Sequence, residues 1–135
     1  MSELFSAAWM QELQTLWNKD PDVFGPLEKA GFSANIAYGY KSEDQARGII
    51  IIDNGKVIKA GSYDGEQLDW DLRADPKSWQ NWLEKGFGLG SLGIAVARKV
   101  LEFRTGNYRQ MIRNPSLSAP FLEHFTLMTK IKTSL

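Results

Sequence analysis

The side chain best suited to acid–base chemistry in this chain is that of His124, the only histidine among 135 residues. Imidazole is the group that titrates most readily near neutral pH. Phe121, Phe125 and Met128 share one helical face by their spacing, so His124 is expected on a different face, exposed or half-buried. No partner stands at metal or triad spacing from it, which favours a structural role over a catalytic one.

A second candidate for acid–base chemistry is the group Asp69, Asp71 and Asp75. Two carboxylates on one face can act as acid and base. Here Asp69 and Asp71 share the polar face of an alternating segment with Arg73, where carboxylates are usually solvated. Nothing else nearby would activate a substrate, so no catalytic residue and no metal site are predicted.

Residues 86–93 (GFGLGSLG) superficially resemble a phosphate-binding loop. They lack the Lys-Ser/Thr ending of such a loop and follow a predicted helix where a strand is required. The pattern favours a glycine hinge that lets two helices pack closely.

Lys99, Arg104, Arg109 and Arg113 form a modest basic cluster. Such a cluster could bind a carboxylate, a phosphate or a coenzyme A head group. It could equally be surface charge that balances nearby acids, and both interpretations stay open.

The segment that positions most of these groups is residues 68–87 (LDWDLRADPKSWQNWLEKGF). Residues 68–74 alternate as a strand with Leu68, Trp70, Leu72 and Ala74 pointing inward. Asp75 and Pro76 then supply the N-cap and first position of a helix over 76–85. Trp79, Trp82 and Leu83 share one face of this helix and form an aromatic wall.

The other elements follow from hydrophobic periodicity and turn residues. A helix over 3–18 with Ser2 as N-cap and a helix over 120–130 are both amphipathic. The break over 18–26 leaves only a short turn of helix for Val23, Phe24 and Leu27. Asn54-Gly55 predicts a type I′ hairpin turn. Strands are predicted over 33–41, 48–53, 56–61 and 100–106, and short helices over 92–97 and 108–113.

These elements predict an α+β fold with a five-stranded, mainly antiparallel sheet covered by helices, in a single domain over residues 1–135. Successive strands with short links imply an antiparallel meander. The amphipathic helices at the two ends of the chain would close the core.

Composition restricts the classes of function. Sixteen basic and sixteen acidic residues cancel, which argues against nucleic acid or an anionic membrane as the main partner. The chain has no cysteine, so it has neither disulfides nor a zinc–cysteine site. Neither a signal peptide nor an apolar run long enough to span a bilayer is present. A cytoplasmic protein without integral membrane association is expected.

The order of elements resembles the sterol carrier protein 2-like (SCP-2) domain family. The stretches that carry the resemblance are IIIIDNGKVIKAG, DLRADPKSWQNWLEKG, VLEFRTGNY and APFLEHFTLM. The resemblance implies an apolar cavity between sheet and helices that binds a fatty acyl, sterol-like or isoprenoid lipid, with no cofactor and no reaction. The residues expected to line it are Trp79, Trp82, Leu83, Phe87, Leu92, Phe103, Met111, Phe121, Phe125 and Met128.

A more specific expectation concerns the two sides of this cavity. Trp79, Trp82 and Leu83 should face Phe121, Phe125 and Met128 across a void. The alternative hypothesis is an accessory protein, either a homodimer or the partner of an enzyme that acts on a hydrophobic substrate such as a quinone precursor. The weakest hypothesis is an enzyme that uses His124 with an acid.

Overall fold

Strongly apolar segments form the centre of the fold in the computed structural model. The structure describes residues 1–86 and 88–135, of which Leu89, Gly90 and Ile112 are described by their backbone alone. The strands are β1 (Ser2–Glu3), β2 (Ala34–Tyr40), β3 (Gly48–Asp53), β4 (Lys56–Ser62), β5 (Trp70–Ala74), β6 (Glu102–Thr105) and β7 (Thr133–Ser134). The helices are α1 (Ala7–Lys19), α2 (Pro21–Lys29), α3 (Pro76–Lys85), α4 (Leu89–Ala97), α5 (Tyr108–Arg113) and α6 (Pro115–Met128). The predicted α+β fold with a five-stranded, mainly antiparallel sheet is confirmed.

The main sheet has the strand order β4-β3-β2-β5-β6. The hairpin β3–β4 turns at Asn54 and Gly55, which both have positive φ (50° and 90°), as the type I′ prediction requires. The run of isoleucines in β3 lies next to the central strand β2, where both faces of the sheet are covered.

The predicted meander is wrong at β5. This strand lies beside β2 and parallel to it, so the chain crosses over between β4 and β5. Asn35 at the start of β2 explains the placement. Its backbone N–H donates to Asp69 Oδ2 at 2.8 Å, its side-chain amide donates to the carbonyl of Gln67 at 2.8 Å, and its carbonyl accepts from the N–H of Asp69 at 2.9 Å.

The N-terminal helix begins later than predicted. Ser6, not Ser2, is the N-cap of α1, and its side chain accepts a hydrogen bond from the N–H of Trp9 at 3.3 Å. Phe5 has a φ of 62°, which no helix can include. The chain before it forms β1, which pairs in parallel with β7 at the other end of the chain.

Three helices are longer than the sequence patterns predicted, and one of them, α4, begins three residues before its predicted start. Residues 21–29 form a complete helix, α2, because Asp20 caps it by accepting from the N–H of Asp22 and Pro21 fits its first turn. Asn114 and Pro115, which end α5, also begin α6 five residues before the predicted start. The α3 bounds match the prediction, although the side chain of Asp75 makes no capping hydrogen bond.

The core lies between one face of the sheet and the helices α1, α2 and α6. The opposite face of β5 is also covered: Asp71 and Arg73, predicted to be solvated, are only 5% and 1% exposed. Both faces of this strand therefore lie in the protein interior, because the loop after β2 covers the polar face and its carbonyl oxygens accept hydrogen bonds from Arg73.

Candidate ligand-binding site

Helices α3 and α6 bring the two predicted aromatic groups together. Trp79 and Trp82 of α3 contact each other edge to face, with ring centroids 5.3 Å apart. The indole N–H of Trp79 donates to the carbonyl of Gly39 at 2.9 Å, which fixes the ring against β2. Opposite them lie Phe125 and Met128 of α6, which are both buried.

The space between these groups is small. The α3–α6 gap, lined by Trp79, Trp82, Leu83, Phe125 and Met128, has a volume of about 10 Å³. A gap of this size holds one water molecule at most. Phe125 and Met128 therefore lie opposite Trp79 and Trp82, but the side chains nearly fill the space where the sequence predicts a void.

Phe121 faces a different gap, nearer the N-terminal end of α6. This second gap also measures about 10 Å³, and it is lined by Trp17, Leu27, Phe32, Ile36, Trp70, Leu117 and Phe121. The rings of Trp70 and Phe121 meet edge to face at 5.5 Å. The aromatic wall predicted from the sequence is thus divided between two apolar gaps.

A partition of three rings stands between the two gaps. The rings of Phe121, His124 and Phe125 form a triangle: the His124 centroid is 4.9 Å from that of Phe121 and 4.4 Å from that of Phe125, and the two phenylalanine centroids are 5.0 Å apart. The ring of Trp17 approaches His124 from α1 at 5.5 Å. We call these three rings the Phe121–His124–Phe125 partition. Phe125 lines the α3–α6 gap and Phe121 lines the second gap, so the partition separates the two.

The prediction that His124 is exposed or half-buried is wrong, since its exposure is 0%. Its Nδ1 contacts the carbonyl oxygen of Phe121, which can only accept, so Nδ1 carries the proton. Its Nε2 must then accept from the hydroxyl of Tyr38 at 2.9 Å. Helical spacing failed here because helices and sheet surround this part of α6 on more than one side.

The surroundings of His124 keep it neutral. Burial lowers its pKa to about 4, although the hydrogen bond to the Phe121 carbonyl acts in the opposite direction. Burial also raises the pKa of Tyr38 far above its ordinary value, so its hydroxyl remains a donor. A neutral imidazole with both nitrogens engaged in the core is poorly placed to exchange protons with a substrate.

The remaining predicted site residues lie on the α4–α5 side of the core. Leu92 and Met111 are buried, and Phe103 is half-buried between Tyr108 and Phe121, with ring centroids 5.7 Å and 6.3 Å away. Phe87 lies outside the described residues. No local pattern indicated Trp17, Phe32 or Ile36 at the gaps, because each comes from an element distant along the chain.

Two of the three carboxylates considered for catalysis, Asp69 and Asp71, have structural partners. Arg73 holds Asp71 in a bidentate pair at 2.6 Å and 3.1 Å. The same guanidinium donates to the carbonyl oxygens of Tyr40, Glu43 and Asp44 and so fixes the loop after β2. Of the predicted basic cluster, Arg104 is similarly occupied with Glu102 and with two carbonyls of this loop, while Lys99, Arg109 and Arg113 are exposed.

Two further observations concern metals and membranes. Within residues 1–86 and 88–135, no group of three His, Asp or Glu side chains is arranged to hold a metal ion. The described helices include none that is both long and apolar enough to cross a bilayer.

Comparison with solved structures identifies the class of fold. A crystal structure of sterol carrier protein 2 superimposes with a TM-score of 0.77 over 96% of this chain and 100% of its own, at 19% identity. A conserved hypothetical protein from Thermus thermophilus, described as a candidate sterol carrier protein, gives 0.70 over 98% and 92%, at 20% identity. A UbiJ-SCP2 ubiquinone synthesis protein gives 0.59 over 92% and 90%, at 11% identity.

The chain therefore has the sterol carrier protein 2-like fold, which confirms the resemblance seen in its sequence at the level of the fold. No family model matches the sequence, and the comparison with curated proteins gives no match. The likeness lies in the arrangement of elements over nearly the whole chain.

Proposed function

We propose that this protein, as one domain, binds and transfers a lipid-like ligand inside the cell without catalysing a reaction. The observation that carries the proposal is the pair of apolar gaps on either side of the Phe121–His124–Phe125 partition, within a sterol carrier protein 2-like fold. The lining is aromatic and aliphatic, and Met128 adds a side chain that adapts to varied shapes. Burial of ligand hydrocarbon would drive binding at about 0.8 kcal/mol per CH₂.

Binding requires the gaps to widen, because neither has room for an acyl chain. Gly86 and Gly88 are suited to such a movement. Gly86 has a φ of 85°, and a side chain added at either glycine would meet no described atom within 4 Å. The expected site residues Leu92, Phe103 and Met111 belong to the side of the core that this movement would open.

The state of two candidate acid–base groups, His124 and Asp71, supports a binding role. His124 is neutral and enclosed, and Asp71 is engaged by Arg73. We propose neither a cofactor nor a metal for this chain.

Titration of the delipidated protein with an environment-sensitive fatty-acyl probe tests the proposal. We expect saturable binding with a change in tryptophan emission, because Trp79 and Trp82 line the α3–α6 gap. Leu83→Trp should fill the half-buried side of this gap and weaken binding at least about tenfold, which is about 1.4 kcal/mol. Leu16→Trp, a change at another half-buried leucine on a helix surface, is the matched control.

The proposal fails if the wild-type protein does not bind the probe, or if Leu83→Trp binds it as tightly as Leu16→Trp. Organic extraction of the freshly purified protein, followed by mass spectrometry, would identify the ligand class.

The alternative role is that of an accessory protein, a homodimer or the partner of an enzyme acting on a hydrophobic substrate such as a quinone precursor. Two observations favour it: the likeness to the UbiJ-SCP2 ubiquinone synthesis protein, and gaps that side chains nearly fill. Two results together would support the accessory role over lipid transfer. The molecular mass from light scattering should rise with protein concentration, and native mass spectrometry should detect no bound lipid.

A further inference from the structure

The C-terminal end of α4 exposes apolar side chains to solvent. Ile94 is 58% exposed and Val100, just after the helix, is 37% exposed. Ala97 is exposed one turn from Ile94, so the two share a face. The helix sequence, LGSLGIAVA, contains no charged residue. We call Ile94, Ala97, Arg98, Lys99 and Val100 the α4 tip.

The backbone at the α4 tip is closed by a Schellman turn. The N–H of Val100 donates to the carbonyl of Ala95 at 2.8 Å, and that of Lys99 donates to the carbonyl of Val96 at 3.1 Å. The residue at the left-handed position of such a turn is usually glycine. Here it is Lys99, with a φ of 59°.

A lysine in this conformation is strained where glycine would not be. The strain points to a use for the lysine side chain, which is exposed and follows the exposed Arg98. The ammonium group of Lys41 donates to the carbonyl of Lys99, so a third cation lies at the same turn.

Charge is unevenly distributed in the chain around the tip. Residues 98–113 contain five basic residues and one acid, Glu102. Because the whole chain has sixteen of each sign, the remainder is net acidic. The zero net charge that argues against an anionic partner thus conceals an excess of basic residues in the segment that begins at the α4 tip, and Arg98, Lys99 and Lys41 are the cations at the tip itself.

We propose that the α4 tip docks the protein on an anionic lipid bilayer. Aliphatic side chains beside lysine and arginine suit a bilayer surface, where the former enter the interface and the latter contact lipid phosphates. Protein interfaces are by contrast depleted in lysine and enriched in aromatic residues, which the tip lacks. The inference rests on the proposed function, because a lipid carrier must meet a bilayer to load or release its ligand.

Co-sedimentation with vesicles tests the docking. We expect binding to vesicles of equal parts phosphatidylcholine and phosphatidylglycerol, weak binding to phosphatidylcholine alone, and loss of binding as salt rises. Ile94→Ser should lower the partitioning of the protein onto anionic vesicles about tenfold, because the isoleucine side chain no longer enters the bilayer interface. Lys99→Gly should lower it about fivefold through the lost charge, with a melting temperature equal to or higher than that of the wild type.

Strand β4, at the edge of the sheet opposite β6, supplies matched controls. Ile58, which is 61% exposed, and Lys59 lie side by side on β4. Ile58→Ser and Lys59→Gln should leave vesicle binding unchanged. The inference is overturned if the wild-type protein does not bind anionic vesicles, or if these controls reduce binding as much as the changes in the α4 tip.

The two proposals fail in distinguishable ways. The fatty-acyl probe is titrated without vesicles, and the vesicle assay needs no ligand. Probe binding without vesicle binding would overturn the docking alone, whereas vesicle binding without probe binding would overturn the carrier function and leave a membrane-docking protein.

Discussion

Two ionisable side chains in the interior, those of His124 and Arg73, are held in different charge states by their partners. His124 has one acceptor, one donor and several aromatic rings around it, so the neutral form is favoured. Arg73 has a carboxylate and three carbonyl oxygens, so the charged form is satisfied. The free energy of unfolding therefore depends on the neutral form of His124 and on the charged form of Arg73.

His124 should make the protein less stable as the pH falls below neutral. Its pKa in the folded state is about 4, against an ordinary value of 6.5 in the unfolded chain. The unfolded chain therefore binds more protons, so the stability is fully present above pH 6.5 and is lost as the pH falls toward 4. The loss from this group is about 2 kcal/mol at pH 5 and approaches about 3 kcal/mol below pH 4.

Urea unfolding at pH 7.5 and pH 5, at constant ionic strength, measures this effect. His124→Gln removes the titrating group and should reduce the difference between the two pH values by about 2 kcal/mol. An equal pH dependence in the variant would show that other groups are responsible.

Arg73→Met should cost about 3–5 kcal/mol of unfolding free energy, because it leaves Asp71 buried without its cation. Adding Asp71→Asn should recover part of this loss by removing the uncompensated charge. Arg104→Met is the control, since Arg104 also donates to the carbonyl of Glu43 but lies at the surface. That change should cost less than about 1 kcal/mol.

At the scale of elements, the β3–β4 turn is the point where two helices meet the sheet. The indole N–H of Trp17 in α1 donates to the carbonyl of Gly55 at 2.8 Å. A side chain at Gly55 would lie 2.6 Å from the Cα of Glu28 in α2. The glycine thus meets two requirements: a positive φ for the turn and close approach of a helix backbone.

Gly55→Ala should therefore destabilise the protein more than the same change at Gly65. The two residues have φ values of 90° and 87°, so the conformational strain of alanine is similar, about 1 kcal/mol. Only at Gly55 does the added methyl group also collide with backbone, which adds about 1–3 kcal/mol. Thermal unfolding of both variants measures this difference. An equal loss of stability in the two variants would mean that α2 shifts to accept the methyl group at no cost in free energy.

At the scale of the whole molecule, the two ends of the chain close the core together. Strand β1 pairs with β7, and Leu4 and Phe5, which follow β1, are almost completely buried. The indole N–H of the buried Trp9 donates to the hydroxyl oxygen of Thr133 at 2.9 Å. Residues more than a hundred positions apart thus complete one apolar cluster.

Thr133→Val keeps the shape of the side chain but leaves the Trp9 N–H without its acceptor. We expect a loss of about 1–3 kcal/mol in urea unfolding, the range for an unsatisfied buried donor. Ser134→Ala is the control, because Ser134 binds the N–H of Leu4 through its backbone carbonyl, which alanine retains. A loss in the control as large as that of Thr133→Val would assign the effect to β7 as a whole.

Local patterns predicted the elements whose causes are local. The isoleucine run of β3, the turn at Asn54 and Gly55, and the start of α3 at Asp75-Pro76 all depend on residues within a few positions of one another, and all were found as predicted. The order of these elements was sufficient to predict the fold class, but not the position of β5 in the sheet. The sequence also contains a start signal for α2, Asp20-Pro21, which is the same Asp-Pro pair that begins α3. The prediction nevertheless treated this segment as a break between helices.

Tertiary structure decided which side chains are enclosed and which strands are neighbours. The place of β5 beside β2 depends on Asn35 and Asp69, and the burial of His124 depends on Tyr38, 86 residues earlier in the chain. The division of the aromatic wall into two narrow gaps has the same origin, since Trp17 and Trp70 join Phe121 from other elements. Helical or strand spacing describes one segment at a time, whereas burial is determined by every segment that packs against it.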